Sequence, residues 1–169
     1  LPPADTSNFK IADEDFATVS DVIAVLELRI SLEAEAAGLA AQRRTEANLA
    51  ALTAALAAFE NSINQDSDAV PSDFLFHMEV ARATHNQHFT DLMTYLGAMI
   101  IPRTRVNTAR SAPEGLYAYL QRVHAEHESI LNAIRNQDVD AARAAMRTHL
   151  GNSRERLRKS QIQPADRFN

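Results

Sequence analysis

The chain has 169 residues, a formal net charge of −5 at pH 7 and no cysteine. This length fits one domain with a sizeable core, and the lack of cysteine excludes disulfides, thiolate metal ligands and a cysteine nucleophile. The negative charge opposes direct binding to a phosphate backbone. Charged residues interrupt the longest apolar stretches, so we expect no membrane span and no signal peptide, and we predict a cytoplasmic protein.

The sequence predicts helices throughout, because alanine and leucine dominate and runs of β-branched residues are missing. Residues 1–19 are expected to form a linker or arm with a possible short helix, followed by the main domain at 20–160 and a tail at 161–169. Apolar periodicity and capping residues predict helices that begin near Ser20, Thr45, Ser72, Asn86, Pro113 and Asp138. Short loops between long helices imply an all-α, antiparallel bundle of six or seven helices.

The third predicted helix carries a D-x-x-x-H pair, Asp73 and His77. Residues four apart lie on the same face of a helix, so this carboxylate and imidazole can reach one point in space. Such donors suit a divalent transition metal. Taken alone, the pair is equally explained by an acidic residue near a helix N-terminus and a core histidine that is hydrogen-bonded to a carbonyl group.

Two further histidines interrupt the apolar stripes of later helices. His127 shares a stripe with Val123 and Ile130, and His149 lies three residues after Met146. Three predicted helices therefore direct an imidazole into the bundle and one of them adds a carboxylate, which is how helical bundles build metal sites. For each histidine taken singly, a hydrogen-bonded core histidine remains the alternative.

Two arginines also lie in line with apolar stripes. Arg29 has Glu33 one turn further along the first helix, which is either an ion pair worth ~0.3–0.5 kcal/mol or a guanidinium in the bundle cavity. A cavity guanidinium could bind a carboxylate through two hydrogen bonds. Arg103 follows the stripe of the fourth helix and either serves the same purpose or lies on the surface after Pro102.

Four short motifs occur in order within residues 20–155. They are E-x-R-x-x-L-E at 27–33, D-x-x-F-H at 73–77, A-T-x-N at 83–86, and H-x-x-I-x-x-A-I followed by D-x-x-x-A-x-x-x-M-x-x-H-L within 127–150. In this order they resemble the FCD domain, the C-terminal effector-binding domain of the FadR subfamily of GntR bacterial transcription regulators.

The resemblance implies an antiparallel helical bundle that holds a divalent metal ion, often zinc or nickel, through one aspartate and three histidines. The positions that match these ligands are Asp73, His77, His127 and His149. The resemblance also implies that a small carboxylate or sugar-acid effector binds beside the metal. We expect the effector to contact Arg29, Glu33 and Arg103.

In this family a winged helix-turn-helix domain precedes the effector domain, and we expect it to be absent from this chain. The resemblance thus implies a homodimer that contacts DNA only through that other domain, with no catalytic residues and no enzyme activity. Two alternatives stay open. One is a metalloenzyme that uses the same Asp/His site with Glu33 as its spare carboxylate, and the other is a plain helical dimerisation domain.

Overall fold

The computed structural model describes residue 11 and residues 18–97 and 114–162, with side chains up to residue 159. These residues form six helices and no strand, which confirms the predicted all-α bundle. The helices are α1 (Val19–Arg43), α2 (Glu46–Asn64), α3 (Val70–Ala83), α4 (helical over 87–97), α5 (Leu116–Arg135) and α6 (Val139–Ile162). Among the helices described, none is long and apolar enough to cross a membrane.

Local hydrogen bonds explain where α1 and α2 begin. The Thr18 hydroxyl accepts from the Asp21 amide at 3.1 Å, and the Asp21 carboxylate accepts from the Thr18 amide at 2.9 Å, which is a capping box. Thr45 and Asn48 form the same arrangement at the start of α2, as expected. The prediction that Ser20 caps the first helix was wrong, because Thr18 has an acidic partner three residues later.

The start of α3 also differs from the expectation. The helix begins at Val70 with Ala69 as its N-cap residue, and no side chain caps it. Ser72, the predicted cap, lies inside the helix, where its hydroxyl donates to the Ala69 carbonyl at 3.0 Å. Pro71 favours this earlier start because a proline in the first turn has no amide hydrogen that would need a partner.

The other helix starts follow the predictions in two cases out of three. The side chains of Asn86 and Asp138 accept hydrogen bonds from backbone amides two and three residues later, at 3.1 and 3.0 Å, as predicted for α4 and α6. The fifth helix begins at Leu116 rather than near Pro113. The residue before it, Gly115, has a φ of 88°, a conformation that glycine adopts at little cost.

The main core draws on all six helices. Its completely buried members include Leu26, Leu52, Phe76, Ile130 and Met146, from α1, α2, α3, α5 and α6 respectively. Burial of each such side chain stabilises the fold by ~1.5–3 kcal/mol. In the packing, α1 lies chiefly against α6, α2 lies against α3 and α5, and α5 lies against α6. The inner faces of α3, α5 and α6 therefore meet in one interior.

The predicted N-terminal arm is held against α4 at Ile11. The Ile11 side chain is buried, and its backbone is paired twice with Tyr95. The Tyr95 hydroxyl donates to the Ile11 carbonyl at 2.8 Å and accepts from the Ile11 amide at 3.0 Å. The described part of the arm is thus docked on the helix that, as shown below, walls the cavity beside the site.

Candidate metal centre

The four residues predicted to bind metal lie together in the bundle interior. Asp73 and His77 come from α3, His127 from α5 and His149 from α6. Each of the four is at most 1% exposed. Because three helices contribute the side chains, the geometry of the site depends on how α3, α5 and α6 pack against one another.

The distances between the donor atoms fit a single shared ion. Nε2 of His77 lies 3.4 Å from Nε2 of His149, and Oδ1 of Asp73 lies 3.2 Å from Nε2 of His127 and 3.9 Å from Nε2 of His77. One nitrogen from each imidazole lies within 4.8 Å of the others. Two donors that are each about 2.1 Å from a metal are about 3.0–4.2 Å apart for angles of 90–180°, so most of these separations already suit coordination.

His127 is the histidine that ordinary core packing explains least well. Its ring is completely buried, and neither ring nitrogen makes a hydrogen bond with any residue that the structure describes. The contact between Nε2 and Asp73 Oδ1 is close but does not have hydrogen-bond geometry. Buried polar groups in proteins are nearly always paired, so two unpaired nitrogens in one buried ring point to a partner of another kind.

The charge state and the packing of His127 both suit a metal ligand. Burial of the imidazole lowers its pKa to about 3, although the Asp73 carboxylate raises it. The ring is therefore neutral at neutral pH, which is the form that binds metal. Phe76 stacks on the ring at a centroid distance of 4.4 Å and Phe59 meets it edge-on at 5.1 Å. These aromatic contacts hold the ring in place before any ion binds.

Glu33 orients the His77 ring through a contact with its Nδ1 atom. Its Oε1 lies 2.6 Å from Nδ1 of His77, and its Oε2 forms an ion pair with Nε of Arg29. Burial raises the pKa of the Glu33 carboxyl, but the charges of Arg29 and His77 and their hydrogen bonds outweigh burial and lower the pKa to about 2. With a carboxylate on Nδ1, Nε2 of His77 faces the other candidate donors, an arrangement that is usual for histidines that bind metal.

Glu126 contacts Nδ1 of His149 in the same way as Glu33 contacts Nδ1 of His77. Its Oε2 lies 2.7 Å from Nδ1 of His149, and its other oxygen accepts from Asn152 at 2.8 Å and from Arg156 at 2.7 Å. Burial raises the pKa of the Glu126 carboxyl, but the hydrogen bond and charge of His149, with help from Arg156, lower it to about 2. The carboxylate therefore stays ionised and fixes the orientation of the His149 ring.

Sequence reasoning missed Glu126. The residue lies off the apolar stripe of α5, and its partners are 23–30 positions away on α6. The one available signal was an acidic residue directly before a candidate ligand, His127, and many surface glutamates share that feature.

We predict that Glu126→Ala weakens metal binding by about 10- to 100-fold, because His149 loses the acceptor that orients its ring. Competition against a chromogenic zinc chelator measures this affinity. Glu128→Ala is the matched control, since Glu128 lies two residues further along the same helix with a side chain that is 55% exposed. Equal zinc affinities for the two variants would show that Glu126 does not support the site.

A small cavity lies beside His77, one of the four donors, between α1, α3 and α4. His77, Arg29 and Glu33 line it together with apolar side chains, and its volume is about 20 Å³. Arg29 is 3% exposed, and its Nη2 has no hydrogen-bond partner among the described residues. A guanidinium N–H with this surplus capacity, next to a candidate metal ligand, suits recognition of a carboxylate. Arg103, the other predicted contact, lies outside the described residues.

The fold and the site define a class of protein: an all-α bundle domain whose buried histidines and aspartate could hold a metal ion. The sequence model of the FCD domain matches residues 24–152. The chain belongs to the FCD domain family.

Relatives with assigned names are transcription regulators. The HTH-type transcriptional regulator LutR of Bacillus subtilis (strain 168) is 35% identical over 133 residues, which cover 78% of this chain and 60% of LutR. The galactonate operon transcriptional repressor of Escherichia coli (strain K12) is 30% identical over 142 residues, 82% of this chain and 58% of the repressor. A putative L-lactate dehydrogenase operon regulatory protein of the same strain is 30% identical over 127 residues, 75% of this chain and 47% of that protein.

The similarity extends to the fold of a solved structure. Streptococcus agalactiae GntR superposes with a TM-score of 0.67 at 22% identity, over 82% of this chain and 60% of that chain, which supports the fold. This chain spans roughly half to three fifths of the length of these regulators. The names of these relatives are those of transcription regulators, and this speaks against the metalloenzyme alternative.

Proposed function

We propose that this chain is the effector-sensing domain of a bacterial transcription regulator and that a small carboxylate binds at its divalent metal centre. In this proposal Asp73, His77, His127 and His149 hold the ion, with zinc or nickel as the metal. The observation that carries the proposal is the neutral, buried imidazole of His127, whose ring nitrogens make no well-formed hydrogen bond with a described residue and which lies beside three other donors. A plain dimerisation domain would give no reason for leaving that ring unpaired.

The chemistry of the site supports a carboxylate ligand. Four protein donors leave one or two positions on a first-row metal that accepts five or six ligands, and a carboxylate oxygen can occupy them. Arg29 lies close to the candidate metal ligand His77, because Glu33 contacts both residues. The Nη2 atom of Arg29 has no hydrogen-bond partner among the described residues, so it can donate to the second carboxylate oxygen of the acid. The acid would thus be bound by the metal at one oxygen and by a guanidinium at the other.

The rest of the regulator lies outside this chain in our proposal. The aligned regions cover only 47–60% of the named relatives, and we propose that a winged helix-turn-helix domain supplies the DNA contact within a cytoplasmic homodimer. Metal and effector would draw α3, α5 and α6 together, because each helix contributes a donor. An effector that binds one packing of these helices better than another shifts the population between them, and this could alter the spacing of attached DNA-binding domains.

Thermal denaturation with and without metal tests the proposed function. The zinc-loaded chain should gain stability from L-lactate, the acid suggested by the name of one relative. An acid at 100 times its Kd stabilises by ~2.7 kcal/mol, which for a domain of this size raises Tm by roughly 5–10 °C. The gain should vanish after chelation. An equal gain in the chelated chain, or no gain with any small carboxylate, would refute metal-dependent sensing.

A further inference from the structure

The cavity beside His77 has an uneven distribution of polar groups. Its polar lining consists of Arg29, Glu33 and His77, which hydrogen bonds join into one continuous chain. Apolar side chains form the remaining wall, chiefly Leu32, Val80, Phe89, Leu92, Met93 and Leu96. None of the described residues in the lining carries a hydroxyl or a carboxamide. The cavity can therefore satisfy one polar end of a ligand and offers apolar contacts to the other end.

The backbone offers no substitute for the missing polar side chains. The described residues of the lining all lie within α1, α3 and α4, where amide and carbonyl groups are used in the helical hydrogen bonds. A hydroxyl group placed against this wall would lose its hydrogen bonds to water and gain none. Burial of an unpaired polar group is unfavourable enough to reduce affinity by at least about tenfold.

The space available limits the size of the ligand as well. The cavity volume of about 20 Å³ has room for one or two water molecules. A ligand larger than this must displace part of the apolar wall, and a long chain requires a greater displacement than a short one.

We infer that the effector is a short monocarboxylate whose other end is apolar, and that polyhydroxylated sugar acids are poor ligands. This inference rests on the proposed function, because it takes the carboxylate to be bound at the metal and Arg29. It narrows the small carboxylates and sugar acids implied by the family resemblance to one of the two classes. The preference arises from the apolar wall contributed by α1, α3 and α4, and not from the metal centre.

A matched pair of acids tests the inference. 2-Hydroxybutyrate and threonate have the same four-carbon chain and the same 2-hydroxycarboxylate group, and they differ in the two hydroxyls at carbons 3 and 4. Isothermal titration of the zinc-loaded chain with each acid should give a Kd at least about tenfold lower for 2-hydroxybutyrate. Threonate that binds as tightly as 2-hydroxybutyrate, or more tightly, would overturn the inference while leaving the proposed function intact. Failure of both acids to bind would count against both.

Two leucine variants test whether the apolar wall causes the preference for 2-hydroxybutyrate over threonate. Leu92→Gln places an amide in the apolar wall, so the ratio of the two Kd values should fall severalfold toward unity. Leu92 is only partly buried, which makes the glutamine tolerable for folding. Leu28→Gln makes the same change at an exposed position of α1 outside the cavity and should leave the ratio as it is in the parent chain. An unchanged ratio in Leu92→Gln, with normal zinc content, would show that this wall does not select the ligand.

Discussion

Replacing His127 by phenylalanine is expected to remove high-affinity metal binding while the helical fold persists. The phenylalanine ring retains the stacking on Phe76 and the edge contact with Phe59, but it has no donor atom. Loss of an outer-shell group alone weakens metal binding about 10- to 100-fold, so loss of a direct ligand should cost more than about 100-fold. Zinc and nickel affinities from competition titrations give the effect, and circular dichroism checks the helices.

His124→Phe is the control for this substitution. His124 lies on the same helix, three residues before His127, and its ring also stacks near Phe59, at 6.3 Å. It is separate from the cluster of three histidines that could hold an ion, so its replacement should leave metal affinity unchanged. If His127→Phe bound zinc as tightly as His124→Phe, then His127 would be a packed core residue and not a ligand.

The second large effect is expected for Arg29→Lys, which should bind the carboxylate effector about 10- to 150-fold more weakly. A lysine can retain the ion pair with Glu33, but it lacks the planar fork that presents a second N–H group to the ligand. Hydrogen bonds to charged groups contribute about 1.5–3 kcal/mol, which corresponds to this range of affinity. Isothermal titration of the zinc-loaded variant with 2-hydroxybutyrate or L-lactate provides the comparison.

Arg143→Lys serves as the matched control for Arg29→Lys. Arg143 also pairs with a glutamate, Glu35, at 2.8 and 3.0 Å, but it does so on the surface. The Arg143→Lys variant should bind the acid as tightly as the parent chain does, and both variants should retain their zinc. An acid affinity that is the same in Arg29→Lys as in Arg143→Lys would remove Arg29 from the effector site.

Features of local origin could be predicted from the sequence. Helix starts at Thr45, Asn86 and Asp138 were foreseeable because a capping side chain and the amide that it binds lie within three residues of each other. The error at Ser20 has the same local origin, since Thr18 stands two residues away with Asp21 as its partner, whereas α3 begins at Val70 without a side-chain cap. Apolar periodicity likewise indicated that the candidate histidines point inward, because burial on a helix follows its 3.6-residue period.

Features that depend on the packing of distant helices could not be predicted from the sequence. Glu126 contacts α6 through His149, and no spacing along the chain encodes that neighbour. The role of Glu33 was foreseen in part, as a partner of Arg29 and an effector contact, whereas its hydrogen bond to His77 crosses 44 positions of sequence. The apolar character of the cavity also required the relative placement of α1, α3 and α4.

The metal content of the purified chain tests the central claim most directly. The chain would be stripped with a chelator, incubated with excess zinc or nickel, dialysed, and analysed by elemental mass spectrometry. We predict about one ion per chain, retained through dialysis. The parent chain contains no cysteine, so thiolate binding cannot produce this result. Less than about a tenth of an ion per chain with either metal, from folded protein, would contradict a metal centre formed by Asp73, His77, His127 and His149.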